Sequence, residues 1–286
     1  MESIVVTGVS TGIGKATTQI LTERGYRVFG SVRRQLDADQ LRAELGEAFV
    51  PLLFDVTDEP AVRAAANQVR EALQGQTLFG LVNNAGVAVP APMLYIPIED
   101  FRKQIEINLT GQLIVIQAFV PLLGAEQALK GKPGRIVNIS SISGRNGSPF
   151  LGAYAASKHA LEGMSESLRR EMILHGIDVI IVAPGPIATP IWEKAEHADL
   201  DQYKETEFYA PGMKFQKYAI RNGQNGLPAQ TVAKVALKAL TAKHPRVRYA
   251  VNPNPFMSWI MSSLPKRMVD AMIAKGVGLK KQSLAR

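Results

Sequence analysis

Thr7-Gly8-Val9-Ser10-Thr11-Gly12-Ile13-Gly14 stands directly after the apolar run Ile4-Val5-Val6 and ahead of an amphipathic stretch over residues 13–24. A glycine-rich turn between a strand and a helix does two things. It lets the backbone turn tightly, and it exposes free N–H groups at a helix N-terminus, where they meet the charge of a pyrophosphate. A Walker A loop is excluded although Lys15 follows Gly14, because that motif needs Gly at position 9 and Ser or Thr at 16, where Val9 and Ala16 stand.

Outward from this turn, β-branched runs alternate with helical patterns. Strands are expected at Ile4–Thr7, Arg27–Val32, Phe49–Phe54, Leu78–Val82, Arg135–Ile139 and Asp178–Val182, with a weaker one at Arg248–Val251. Helices are expected at about 13–24, 59–73, 99–122, 154–175 and 229–242, with Gly25 and Gly176 as C-caps. The strands read as continuous apolar runs, as they do when helices cover both faces of a parallel sheet. The expected fold is α/β: a Rossmann-type doubly wound parallel sheet of about seven strands, in one domain over residues 1–286. The stretch Pro190–Pro228 carries aromatic clusters and no clear strand, and is expected to be a substrate lid.

Composition narrows the function. The 286 residues are 46% hydrophobic and 20% charged, enough for a full core without staples. The chain has no cysteine, which removes disulfides, thiolate zinc sites and cysteine nucleophiles and fits a reducing, cytoplasmic setting. His159, His175, His197 and His244 lack metal-ligand spacing, so no metal is expected, and Met93, Met164 and Met172 read as core filling. No stretch is uninterruptedly apolar over the ~20 residues of a membrane span, and the N-terminus lacks a basic leader. The net charge of +8 lies in residues 243–286, while residues 1–242 are balanced. The balanced body carries no basic surface interleaved with aromatics, so no nucleic-acid partner is expected.

Three further stretches carry chemistry. The second strand ends Val32-Arg33-Arg34 with no acid before Asp37, which suits a ribose 2′-phosphate better than a 2′-hydroxyl. Asn83-Asn84-Ala85-Gly86 follows the fourth strand, at the end where open α/β sheets bind ligands. Tyr154 and Lys158 are i and i+4 on one helix face, so an ammonium near the phenol would favour phenolate, and Ser141 ends the fifth strand.

Together these residues resemble the single-domain short-chain dehydrogenase/reductase family over residues 3 to about 190: Thr7-Gly-x-x-x-Gly12-Ile-Gly14, Asp55, Asn83-Asn-Ala-Gly86, Asn108, Ser141, Tyr154-x-x-x-Lys158 and Pro184-Gly185-x-x-x-Thr189. The family's thirteen-residue serine-to-tyrosine offset selects Ser141 over Ser140. The resemblance implies a catalytic set of Asn108, Ser141, Tyr154 and Lys158. Tyr154 would be the acid/base, Ser141 would bond the substrate oxygen, Lys158 would hold the nicotinamide ribose, and Asn108 would help hold a water. It implies NADP(H) bound by Gly8, Ser10, Thr11, Gly12, Ile13, Gly14, Arg33, Arg34, Asp55, Val56, Asn83, Ala85, Gly86, Tyr154, Lys158, Pro184, Gly185, Ile187 and Thr189. Asp55 and Val56 would meet adenine, and Ile187 and Thr189 the carboxamide. It also implies a homo-oligomer formed through the helices carrying Asn108 and Tyr154. Residues 134–144 and Leu168–Met172 look most like the retinol-, hydroxysteroid- and hydroxybutyrate-dehydrogenase-like members.

The function expected is interconversion of an alcohol and its ketone or aldehyde with NADP(H). A lipophilic substrate is expected from Ile191, Trp192, Tyr203, Phe208, Tyr209, Phe215 and Tyr218 over the crevice. The rival is a non-catalytic NADP(H)-binding sensor or scaffold, which would have no need of the proton relay. An epimerase or dehydratase on nucleotide sugars fits worse, since those relatives need a larger C-terminal substrate domain. In the tail, Phe256, Met257, Trp259, Ile260, Met261, Leu264, Met268, Val269, Met272 and Ile273 are interleaved with Lys266, Arg267, Lys275, Lys280 and Lys281. This pattern fits either peripheral membrane contact or packing over the pocket.

Overall fold

The computed structural model describes residues 1–190, 200–254, 260 and 263–280. Seven strands form one parallel sheet: β1 (Ser3–Val6), β2 (Arg27–Val32), β3 (Phe49–Leu53), β4 (Gly80–Asn83), β5 (Arg135–Ile139), β6 (Asp178–Pro184) and, last in the chain, β9 (Arg248–Val251). Their order is β3-β2-β1-β4-β5-β6-β9. The chain therefore reverses its direction of travel between β1 and β4, and a crevice opens there at the strands' C-terminal ends. Two short strands, β7 (Ile187–Ala188) and β8 (Leu227–Pro228), pair with each other outside this sheet.

Successive strand residues face opposite sides of the sheet, and each side has its own core. On one side Ile4, Val6, Val28, Val137 and Val182 pack beneath α1 (Gly12–Glu23), α2 (Gln35–Leu45) and α8 (Ala229–Thr241). On the other, Val5, Phe29, Leu81, Ile136 and Val179 meet α3 (Glu59–Leu73), α5 (Gly111–Phe119) and α6 (Gly152–Glu171). Helix α4 (Ile98–Ile105) runs into α5 through a π-helical turn, Glu106–Thr110. The continuous helical stretch Ile98–Leu123 is long and apolar enough to cross a membrane by composition, but here it packs against α3 and α6 as a core element.

Three helices depart from the expectations. Helix α2 forms in what had no helical pattern, α7 (Tyr209–Gln224) fills the expected lid, and α9 (Lys266–Val277) follows Pro265 in the tail. Met164 and Met172 pack against the core as expected, but Met93 does not: it is 53% exposed, lying over Gly152 at the start of α6, where the lack of a Cβ leaves room for it.

Candidate active site

A cavity of 560 Å³ opens at the β1/β4 switch point. At one end Gly8, Ser10, Thr11, Gly12 and Ile13 line it. Gly8 and Gly12 have φ of +68° and +59°, a region costly for any residue with a Cβ. Gly14 does not reach the cavity; a Cβ there would collide with the Gly8 carbonyl, so it sets how closely α1 approaches the loop. The Thr11 side chain does not cap α1 among the described residues, and the first turn holds no acid, so the helix N-terminus offers its N–H groups to the cavity. This cradle fits a pyrophosphate.

Further along the wall, Val32, Arg33, Asp55 and Val56 border the cavity. Arg33 is 70% exposed, with its guanidinium 3.6 Å from Asp55. Burial alone would push the Asp55 carboxyl up; the Thr57 amide and hydroxyl, at 3.0 and 2.8 Å, together with Arg33 hold it below its ordinary value instead. Arg34 lies outside the cavity, engaged with Asp37 on the surface.

The Asn-Asn pair divides its work. Asn83, the last residue of β4, is buried beneath the sheet's end, donating to Asn138 and to the Gln112 carbonyl, and does not line the cavity. Asn84 does line it, and its amide donates to the Thr7 and Gly8 carbonyls at 2.9 and 3.0 Å, tying the glycine loop to β4. Ala85, Gly86, Val87 and Ala88 continue the wall. Behind them three side-chain amides hold alternate backbone positions. Gln104 exchanges two hydrogen bonds with Val89, at 3.0 and 3.3 Å, and Asn108 exchanges two with Val87, both 2.8 Å. Gln112 donates to the Ala85 carbonyl at 2.5 Å. Asn108 is thus buried behind the wall rather than on it, and its amide also donates to Ser157 at 3.0 Å. Sequence reasoning singled out Asn108 but not Gln104 or Gln112; their i, i+4, i+8 spacing was the available signal.

At the far end Ser141, Tyr154 and Lys158 line one stretch of wall. Ser141 sits at the end of β5, its hydroxyl accepting from the Ser143 amide at 3.1 Å. Burial pushes the Tyr154 phenol up, and a hydrogen bond from Ser141 pulls it back in part. The Lys158 ammonium donates to the Ile139 carbonyl at 3.0 Å and lies 5.8 Å from the Tyr154 ring centre. Burial lowers the Lys158 pKa to about 8. Burial thus raises the phenol and Ser141 lowers it, with the lysine facing the ring from the same wall. Pro184, Gly185, Ile187 and Thr189 complete this end.

Of the expected lid aromatics, Phe215 and Tyr218 on α7 line the cavity, Phe208 lines a neighbouring cleft, and Tyr203 and Tyr209 reach neither. Ile191 and Trp192 lie outside the described residues, as do Phe256, Met257, Trp259, Met261 and Lys281 of the tail. Of the rest of the tail, Val277 and Leu279 pack against Phe150 and Phe215 beside the cavity, while Met268 and Met272 stay exposed.

A doubly wound parallel sheet with a phosphate cradle at its switch point and a serine, tyrosine and lysine on one wall defines a dinucleotide-dependent oxidoreductase. The model of the family described as short chain dehydrogenase matches residues 2–200, and the chain belongs to that family, whose members work with a nicotinamide cofactor. It is 39% identical to the NADPH-dependent 3-dehydrocapnine reductase of Ornithobacterium rhinotracheale, over 96% of this chain and 97% of that protein. Human retinol dehydrogenase 5 is 34% identical, over 94% of this chain and 87% of the relative. Among solved structures, a short-chain dehydrogenase from Streptomyces avermitilis superposes with a TM-score of 0.75 at 24% identity, covering 98% of both chains, which speaks to the fold.

Proposed function

We propose that this protein interconverts an alcohol and its ketone or aldehyde with NADP(H), Tyr154 acting as general acid in reduction and general base in oxidation. The observation that carries this reading is the presence of Ser141, Tyr154 and Lys158 on the same cavity as the uncapped α1 N-terminus. When bound, the nicotinamide supplies or accepts the hydride. The chain's own residues do the rest. Ser141 and Tyr154 bracket the substrate oxygen, and the phenol gives its proton to that oxygen during reduction. The charged form of Lys158 stabilises the phenolate left behind. Asn108 keeps the wall at Val87 in register and helps hold a water that links Lys158 to solvent. Preference for NADPH is supported by Arg33 and by Val32, which stands where a carboxylate would repel a 2′-phosphate.

A lipophilic substrate is supported by Phe150, Leu151 and Phe215 in the wall and by the relatives' names. Residues 200–228 act as the lid over it, with α7 as its inner face. Peripheral contact with an anionic membrane is supported by exposed Met268 and Met272 beside Lys266, Arg267 and Lys275, and pairing of two copies by Leu113, Ile173 and Leu174, exposed on or just after α5 and α6. The protein would then be cytoplasmic and reach membranes only at their surface.

The test is consumption of NADPH, followed by its absorbance, against a panel of ketones and aldehydes. Tyr154→Phe should bind NADPH normally and lose roughly 10²–10⁴-fold in turnover. Tight NADPH binding by the wild type with no turnover of any carbonyl would favour the non-catalytic sensor.

A further inference from the structure

Beside the reaction cavity lies a second cleft of 480 Å³, whose wall includes Met93, Leu94, Pro149, Phe208 and Leu279. Among the described residues, one belongs to both walls: Phe150. It is 7% exposed and has φ of +65°, in the left-handed region where a bulky side chain is an outlier. Strain of this kind persists only where the surroundings enforce it, and it gathers at ligand clamps and switches.

The enforcing contacts are all present. The Phe150 carbonyl accepts from the Ala91 amide at 2.8 Å, which ties it to the loop carrying Met93 and Leu94. Its ring is tilted against Phe215 at 5.3 Å and meets Phe208 edge-on at 6.4 Å. At Gly212 on α7 even a Cβ would lie 3.6 Å from the ring, so the helix passes close without blocking it. Phe150 also precedes α6 by two residues, so its ring is mounted on the same short segment as Tyr154.

We propose that Phe150 is a gate, and that the substrate carries a straight hydrocarbon chain that passes this ring and lies in the outer cleft. The inference rests on the alcohol–carbonyl reading of Tyr154 and adds to it the shape of the substrate. Among the described residues, the cleft's lining side chains carry no charged or hydrogen-bonding group, so a polar substituent would be desolvated against them without a partner. Met93 at 53% and Leu94 at 71% exposure are apolar surface that a chain would cover, and a methionine adapts to a flexible ligand. The two cavities share Phe150 as a wall, and this common ring is what selects the substrate's own chain over a separate ligand. Phe150 is accordingly a specificity residue, and takes no part in proton transfer.

The experiment is a homologous series of straight-chain ketones, from butanone-sized to palmitoyl-length, assayed with NADPH on the full chain. Once the chain is long enough to pass Phe150, kcat/KM should rise about fourfold for each methylene taken from water, until the cleft is full. Leu94→Glu should cut kcat/KM for the long members by ten-fold or more and leave the short ones unchanged. Phe150→Gly, which relaxes the backbone at a positive φ, should admit branched chains that the wild type rejects. A flat length profile with good turnover of short ketones overturns the gate and leaves the Tyr154 chemistry standing. Equal losses for short and long members in Leu94→Glu also overturn it. No reduction at any length overturns both.

Discussion

Glu162 on α6 is a buried carboxylate eight residues from Tyr154, and its replacement tests how the site is held. Arg248 on β9 grips it with three hydrogen bonds of 2.9 to 3.2 Å, the Ser140 hydroxyl donates at 3.1 Å, and Arg145 is a third partner at 3.1 Å. Glu162→Gln keeps the shape and one acceptor oxygen but leaves the largely buried Arg248 without a counter-charge. Removing one partner of a buried pair costs roughly 3–5 kcal/mol, and the retained oxygen puts this variant near ~3 kcal/mol. Arg145 is 64% exposed and adds little. An unfolding entropy of about 2.1 cal/mol/K per residue gives ~0.6 kcal/mol/K for a chain this long, so Tm should fall by about 5 °C at neutral pH. Burial alone would push the Glu162 carboxyl up, but Arg248, then Arg145 and Ser140, hold it below its ordinary value. The unfolded chain therefore binds this proton more readily. The stabilisation is present above the unfolded value near ~4.3 and is lost as pH falls through the folded one. Thermal unfolding by circular dichroism should show a constant gap between wild type and variant from neutral to mildly acidic pH, closing below about pH 4. An unchanged Tm at neutral pH, or a gap that widens on acidification, would refute the reasoning. Because Ser140 adjoins Ser141, the variant should also turn over more slowly.

Cofactor choice is tested by Val32→Asp combined with Arg33→Ser: kcat/KM should shift from NADPH toward NADH, and the loss of charged hydrogen bonds worth about 1.5–3 kcal/mol corresponds to roughly ten-fold or more for NADPH; a wild type that already prefers NADH would remove Arg33 from the cofactor site. Lys158→Met should inactivate the enzyme yet raise the Tm of the cofactor-free protein, because burial lowers the lysine's pKa to about 8 and the unfolded chain holds the proton more tightly. Stability of the wild type should for the same reason increase as pH rises from about 8 toward 10, and a fall over that range attributable to Lys158 would contradict it. Asn84→Ala should weaken NADPH binding by releasing the glycine loop from β4, which isothermal titration would read as a raised Kd without loss of fold.

The sheet was legible because its strands are continuous apolar runs, and β1 with the glycine turn oriented everything after it. Helix α2 was not, because only Ala38 and Leu41 are buried on it and two positions do not make a visible face. Helix α7 contains Pro211, Gly212 and Gly223, residues that read as breaks until tertiary packing overrides them. In the site, the order of motifs singled out Ser141, Tyr154 and Lys158, which line one stretch of the cavity wall. It could not tell which of two adjacent asparagines faces the cavity, since that depends on the residue at which β4 ends. Nor could it pair Glu162 with Arg248, which lie 86 positions apart with no local signal.

The three amides behind the cavity wall give the helix from 98 to 119 a property of its own. Four helical residues advance about 6 Å, and two extended residues about 6.6 Å. Gln104, Asn108 and Gln112 can therefore step along Val89, Val87 and Ala85 as a neighbouring strand would. The π turn at Glu106–Thr110 is built into that spacing. Deleting one residue between Gln104 and Asn108 would swing the upstream face by about 100° and disengage Val89 while leaving Val87 held. Insertions and deletions are thus forbidden within this helix by the wall it braces. Among descendants of this chain, length should stay fixed between 98 and 119.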